Sequence, residues 1–464
     1  MRLLQAALLG GFAVLPIACA AILGDDFEIV PSGSGEGGGG AGVNVGGAAG
    51  PGGAGGAAGG EPAPYYDCDW DFPEHRLVQS LEATPTSVLG KVFAVRRGPD
   101  SVRAIVNRIT ETGVFFDIFT LDSSANIATA SVPSMQVLQV ERLSSSNMGI
   151  LYVTPTAELH LYVIADSSQN GDDGNDITLA SATNLPNFTA ASSSLNAMMA
   201  PVPLGGLDDW DLDVVVMYRN TSMEQVIYHA RYERNPLPTF VRITDPALNL
   251  NDNDTQGQAI AHFDGTTYAY FGETGSVLGL SVYALDENVT GFVTPTPIGQ
   301  GEQLGGVLVV PPDYANVLMA DVGPPIRLLT GAVAGADLGS LDPADLNIAA
   351  EFAGQLDLPV FEADGRWNED IFTLIGPDSD NSIDMAYYLL DNVGRERGLG
   401  PLDFTLILPA EEDRDNIGSL ASALRDEPLG AEGGTLHILW TEDHTRNNVP
   451  FDVLYYDRLR CTPQ

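Results

Sequence analysis

Positive charge is what this chain lacks most. It carries 21 Lys and Arg against 62 Asp and Glu, a net charge of −41, and Lys91 is its one lysine. Nucleic acids and anionic membrane surfaces are held through positive charge, so this balance argues against both as partners. Cysteine is scarce too, with three residues at 19, 68 and 461. No Gly-x-Ser-x-Gly occurs, and none of the six His has the His-x-x-x-His spacing of a zinc site. A nucleophile elbow and a zinc-binding helix are therefore excluded. Neither Gly305-Gly306 nor Gly433-Gly434 is followed by Lys-Ser/Thr, so no phosphate loop is indicated. No apolar run reaches the roughly 20 residues that a spanning helix needs.

The chain does have a marked N-terminus. Met1 and Arg2 lead into the apolar run Leu3–Ile17, which fits the core of an export signal. Pro16-Ile17-Ala18-Cys19 resembles a bacterial lipobox, with Pro16 where Leu is usual and Leu15 one place further out. On that reading residues 1–19 are signal and Cys19 is the lipid attachment site. Ala18-x-Ala20 offers ordinary cleavage as the alternative. Residues 20–64 then form a tether. From Pro31 to Pro64 it is Gly and Ala with a few other residues, and it has no aromatic side chain and no Lys or Arg. Such a segment buries too little apolar surface to offset its ordering entropy. As a Gly-rich coil it spans roughly 30–35 Å. Lipoproteins of myxobacteria and their relatives are similar at this end, where Cys, a Leu-Gly-Asp-Asp-Phe-like stretch (Leu23–Phe27) and a Gly-rich tether precede an exported domain.

With Cys19 lipidated or removed, two cysteines remain, Cys68 and Cys461, at the two ends of residues 65–464. In an oxidising compartment they read as a disulfide, with two unpaired thiols as the alternative.

Residues 65–464 read as all-β: short apolar segments punctuated by Gly, Pro, Asn and Asp. The clearest pair is Leu436–Thr441, a polar turn, then Phe451–Tyr456. Leu159–Val163 precedes Ile177–Leu179, Leu212–Tyr218 precedes Val226–Ala230, and Tyr268–Phe271 precedes Leu280–Tyr283. Further starts lie near Val102, Tyr314 and Ile383, giving a mean spacing of about 56 residues. Repeated strand pairs at that period predict a β-propeller of six to eight four-stranded blades, with seven filling the space best.

The Leu436–Asp443 and Phe451–Tyr456 unit resembles blades of sialidase-like (BNR/Asp-box type) propellers, and Trp210–Tyr232 is similar. Ser145–Tyr152 resembles a degenerate Asp box, with Asn147 where Asp is usual. The propeller reading implies that the N-terminal segment completes the last blade and that a Cys68–Cys461 bond locks this closure.

Candidate chemistry is sparse. The acidic stretch Asp166–Asp176 offers Asp166, Asn170, Asp172 and Asp176 as oxygen ligands for Ca²⁺. Ile177 stands where an EF-hand has its bidentate Glu, and a solvated acidic turn is the competing reading. Asn249–Asp254 is a similar stretch. A sialidase-like activity would need an arginine cluster, for which Arg219, Arg231, Arg242, Arg327 and Arg366 are candidates. Phe240-Val241-Arg242-Ile243 departs from the Phe/Tyr-Arg-Ile-Pro motif of true sialidases. Trp367 with Arg366, in Asp364–Glu369, reads as a loop-borne binding pair, whereas Trp440 reads as core. The expectation is an envelope lipoprotein, or a secreted protein, whose propeller loops bind a protein or glycan without catalysis. A glycan-active enzyme is the alternative. No cofactor is implied beyond Ca²⁺.

Overall fold

The computed structural model describes residues 65–464 apart from connecting segments, the longest of which are 186–194, 244–254, 334–346, 353–370, 403–411 and 425–433. Most side chains of the strands between 255 and 412 also fall outside the description. Cys19, the tether, Asn249–Asp254, Arg366 and Trp367 lie outside the described residues. The described residues belong to one compact unit, Ala63–Gln464.

Every regular element among the described residues is a strand. Two short ones come first, β1 (Tyr66–Trp70) and β2 (Arg76–Leu81). The first meander is β3 (Val88–Arg96), β4 (Ser101–Thr110), β5 (Gly113–Asp122) and β6 (Ile127–Pro133). The second is β7 (Gln136–Arg142), β8 (Asn147–Val153), β9 (Leu159–Ala165) and β10 (Asn175–Ala180). The third is β11 (Asn196–Pro203), β12 (Trp210–Arg219), β13 (Gln225–Tyr232) and β14 (Val241–Ile243). The fourth is β15 (Thr255–Phe263), β16 (Thr266–Glu273) and β17 (Val277–Leu285), whose two ends pair with β18 (Gly291–Phe292) and β19 (Thr296–Gln300). The fifth is β20 (Leu304–Val310), β21 (Ala315–Asp321), β22 (Ile326–Val333) and β23 (Asn347–Phe352). The sixth is β24 (Ile371–Pro377), β25 (Met385–Asp391) and β26 (Glu396–Leu402). The last is β27 (Glu412–Leu424), β28 (Gly434–Arg446) and β29 (Val449–Pro463).

Each meander is antiparallel and in chain order. Their central strands are apolar on both faces, as in Val214-Val215-Val216-Met217, because each sheet is covered on both sides. Leu212, Val214 and Val216 share a cluster with the second unit, through Leu151 and Leu161. Val215 and Met217 share one with the fourth unit, through Ala269 and Phe271. The first and second units share Phe93, Ile105, Ile150 and Ile164. Tyr387 and Leu389 of the sixth unit lie with Ile438 and Trp440 of the last. The last unit then packs on the first, through Leu439, Leu454, Val92 and Val102.

First strands contact first strands: β27 with β3, β3 with β7, β7 with β11, β11 with β15, β15 with β20, and β24 with β27. They therefore lie innermost. This radial arrangement is a β-propeller, with seven sheet units among the described residues. One end of the ring, the leading face, is where the first strands begin. They end at the opposite, trailing face, which also carries the connections from third to fourth strands.

Closure uses the N-terminal segment. β2 pairs with β29 from Arg76↔Tyr456 to Leu81↔Asp452, and β1 continues along it from Tyr66↔Pro463 to Trp70↔Leu459. The two together supply the outer strand of the last unit. Cys68 and Cys461 are direct partners there and are disulfide-bonded, 393 residues apart in sequence. β1 also pairs in parallel with β26 at Tyr66↔Gly398, so the sixth and last units share one sheet.

Candidate functional site

A dense polar cluster lies between the third and fourth units. Alternation aims Asp213 on β12, and His229 and Arg231 on β13, at the fourth unit, where the apolar joint gives way to polar side chains near the trailing face. Asp213 is completely buried. Its Oδ1 accepts from His229 Nε2 at 2.9 Å and Arg231 Nε at 3.0 Å. Its Oδ2 accepts from Arg231 Nη2 at 2.7 Å and from the Thr267 hydroxyl of β16. A carboxylate has about four lone-pair sites, so all are used. Burial would raise this carboxyl's pKa, but the His229, Arg231 and Thr267 donors outweigh it and hold the group at about 2.

The Thr267 proton goes to Asp213, so Thr267 Oγ1 must accept from His262 Nδ1, 2.7 Å away. That fixes the His262 tautomer, and burial lowers its pKa. Beside them, burial and the charge of Glu233 raise the pKa of Asp211.

The last unit repeats this chemistry near the leading face. Glu442 is buried. Its Oε1 accepts from Arg414 Nη2 and Trp440 Nε1, each at 2.6 Å. Its Oε2 accepts from Arg414 Nε at 2.9 Å and His444 Nε2 at 2.8 Å. Four donors again fill four sites, and they lower the pKa against burial. A simpler version recurs in the first unit, where Asp117 meets Arg108 and the Ser131 hydroxyl. In the second, Arg142 grips Asp166 with both terminal nitrogens. Such acids orient their donors and tie strands together. With every lone pair engaged, Asp213 and Glu442 are poorly placed to act as nucleophile or general base.

The acidic hairpin between β9 and β10 is similarly engaged. Arg97 Nε donates to the Asp166 carbonyl at 2.7 Å. Arg103 donates to the Ala165 and Ser168 carbonyls at 3.0 and 2.6 Å. Gly171, at φ +79°, sits against Ile118, and its carbonyl accepts from the Tyr162 hydroxyl. The four Ca²⁺ candidates are not brought together. Asp166 is taken by Arg142, Asp176 accepts from the Tyr152 hydroxyl and contacts His160 Nδ1 at 2.9 Å, and Asn170 donates to Asp172. Among the described residues no group of three or more His, Cys, Asp or Glu could hold a metal ion.

The candidate arginine clamp is also dispersed. Arg231 is committed to Asp213, Arg219 ends a second strand, Arg327 is on a third strand, and Arg242 is exposed on the outermost strand β14. None of these four lies on an innermost strand. Trp440 is buried, as expected of a core residue. Sequence reasoning missed Asp213 and Glu442 as hubs. The available signal was a charged residue inside an apolar strand, in Leu212-Asp213-Val214 and Trp440-Thr441-Glu442.

No family model and no curated protein matches the chain. Solved structures are similar at low identity, three of them as follows. A Dyadobacter fermentans protein of unknown function is 8% identical with a TM-score of 0.40, over 71% of this chain and 99% of that one. Trypanosoma rangeli sialidase, in complex with 2,3-difluorosialic acid, is 12% identical with a TM-score of 0.36, over 72% of this chain and 56% of that one. The fungal Aleuria aurantia lectin, a six-bladed β-propeller that recognises fucose, is 9% identical with a TM-score of 0.37, over 70% and 98%.

Proposed function

We propose that the chain is an exported binding protein, anchored through lipid on Cys19, whose propeller presents loops to a protein or glycan and carries out no reaction of its own. The carrying observation is the saturation of its buried carboxylates: Asp213 and Glu442 each accept four hydrogen bonds from their own fold. The charged groups that a catalyst would expose are used here to bind strands and neighbouring sheets. The net charge of −41 favours a neutral or basic ligand over a polyanion.

Purified full-length protein should release no fluorophore from a panel of fluorogenic glycosides, sialosides included, and should retain a ligand on glycan or protein arrays. Turnover above a heat-inactivated control overturns the non-catalytic reading. In a lipoprotein-processing bacterial host, labelled palmitate should enter the wild type and not Cys19→Ala. Equal labelling removes the anchor.

A further inference from the structure

Residues 1–64 enter the propeller through β1, the same strand that closes the ring. A pull arriving through them therefore falls first on the closing seam.

β1 is a light hold. Its Tyr66, Cys68 and Trp70 pack on the core of the last unit, and the alternate residues Asp67 and Asp69 are exposed. It has five register pairs with β29, from Tyr66↔Pro463 to Trp70↔Leu459, and one with β26. Tyr66, the residue that receives the pull, is the outermost pair of that ladder. Tension there opens the pairs in succession from the end, so each bears the force in turn. β2 is next, with five more pairs to the same strand. Once both have left, the last unit has lost its outer edge.

β29 is held far more firmly. It has thirteen register pairs with β28, from Gly434↔Cys461 to Arg446↔Val449, and carries β1 and β2 on its other edge. Both of its faces are core. Phe451, Val453, Tyr455 and Leu459 pack in the last unit's cluster, and Leu454 and Tyr456 pack against the first unit.

The disulfide joins the third residue of β1 to the third from the end of β29. Peeling from Tyr66 stops after two pairs, before it reaches Trp70 or β2. Beyond that point the covalent path leads into β29. In the chain-entropy account a cross-link stabilises through the unfolded state, whichever way a force arrives. This bond also stands where the incoming chain meets the ring, which gives it a direction.

We propose that Cys68–Cys461 is a tension relay: a pull arriving through residues 1–64 bypasses the β1–β2 seam and is delivered to β29, so that a propeller holding its ligand against an anchor stays closed. The anchor as source of tension rests on the function proposed above.

The test is optical-tweezers pulling of the full chain between a handle at position 111, in the exposed β4–β5 turn, and a handle at either the N- or the C-terminus. In the oxidised wild type the two directions should give similar first-opening forces. With Cys68→Ser and Cys461→Ser together, the N-terminal pull should open at severalfold lower force, in an early step of roughly 50 Å as β1 and β2 leave. The C-terminal pull should change far less. If that variant does not fold, dithiothreitol added to the folded wild type under the tweezers gives the same comparison. Equal N-terminal forces with and without the bond overturn the proposal. So does an equal loss in both directions, the mark of general stabilisation alone. The force readout needs no lipid, so failure of the relay is told apart from failure of the anchor, which palmitate labelling of Cys19→Ala decides.

Discussion

The third and last units build the same sheet from different stretches of chain. The third is continuous, four strands within residues 196–243. The last takes three strands from residues 412–463 and borrows its outer edge from residues 66–81. Each has a carboxylate that accepts a bidentate arginine and a histidine of its own unit and one further donor, Thr267 of the fourth unit for Asp213 and Trp440 of the same unit for Glu442. The last unit alone of the two has a covalent bond, Cys68–Cys461, across its outer strand pair. A local meander needs no such bond, because its hairpins already hold strand to strand. An edge recruited from the far end of the chain must overcome the entropy of closing a very long loop.

Breaking that bond is the largest expected effect. In the chain-entropy model, closing a loop of 393 residues stabilises by about 6 kcal/mol, and native strain reduces the figure. Cys68→Ser with Cys461→Ser should therefore lower the urea midpoint of the full chain sharply. A shift within error would mean that strand pairing alone closes the ring.

Next come the saturated carboxylates. Removing one partner of a buried ion pair costs about 3–5 kcal/mol. Asp213→Asn and Glu442→Gln should thus cost similar amounts, although one lies in a continuous unit and the other in the closing unit. A much larger loss for Glu442→Gln would show that the closing unit depends more on its internal tie. For Asp213 the folded pKa, about 2, lies below the ordinary 3.8. Its stabilisation is complete above pH ~4 and is lost as pH falls through 2, roughly 2 kcal/mol in all. Acid unfolding of wild type against Asp213→Asn measures this, and parallel curves would refute it.

The repeat was legible in the sequence because strands covered on both faces are written as apolar runs. The starts near Val102, Leu212, Tyr268, Tyr314, Ile383 and Leu436 fall at the second strands β4, β12, β16, β21, β25 and β28. Leu159 falls instead on a third strand, β9, because the pair Leu159–Val163 and Ile177–Leu179 alternates more clearly than Asn147–Val153. The cysteine pair was legible because two thiols flank one domain. The polar hubs were not. Thr267 lies 54 residues from Asp213, and Arg414 lies 28 from Glu442, distances that only sheet register and packing between units bridge. The acidic hairpin left a Ca²⁺ loop open beside a solvated acidic turn, because sequence does not show Arg97, Arg103 and Arg142 arriving from elsewhere in the fold.

A smaller perturbation tests whether β1 clasps two units or one. Gly398 on β26 has φ +152°, and a Cβ there would sit 2.5 Å from the Tyr66 carbonyl oxygen. Gly398→Ala must push β26 and β1 apart, at about 1–3 kcal/mol for such overpacking. If β1 is a shared strand, hydrogen exchange should rise in both β1 and β26. Exchange confined to β26 would assign β1 to the last unit alone.

The smallest effect has the opposite sign and lies at the leading face of the closing joint. Asp452 Oδ2 accepts from the Leu89 backbone N–H of the first unit at 2.6 Å, and Asp443 is its cross-strand partner. Burial and then the charge of Asp443 raise its pKa to about 6, against the help of Leu89 N–H. Because the folded pKa exceeds the ordinary 3.8, the proton stabilises the fold fully below pH ~4, and that contribution is lost as pH rises through 6. Asp452→Asn keeps an acceptor for Leu89 N–H and removes the charge opposite Asp443. It should raise stability at pH 7 by about 1 kcal/mol, allowing for solvent screening of a half-exposed group, and change little at pH 4. No such gain exists for Asp213→Asn, whose carboxylate is fully compensated. Destabilisation by Asp452→Asn at both pH values would mean that the closing joint, like the third unit, needs its carboxylate charged.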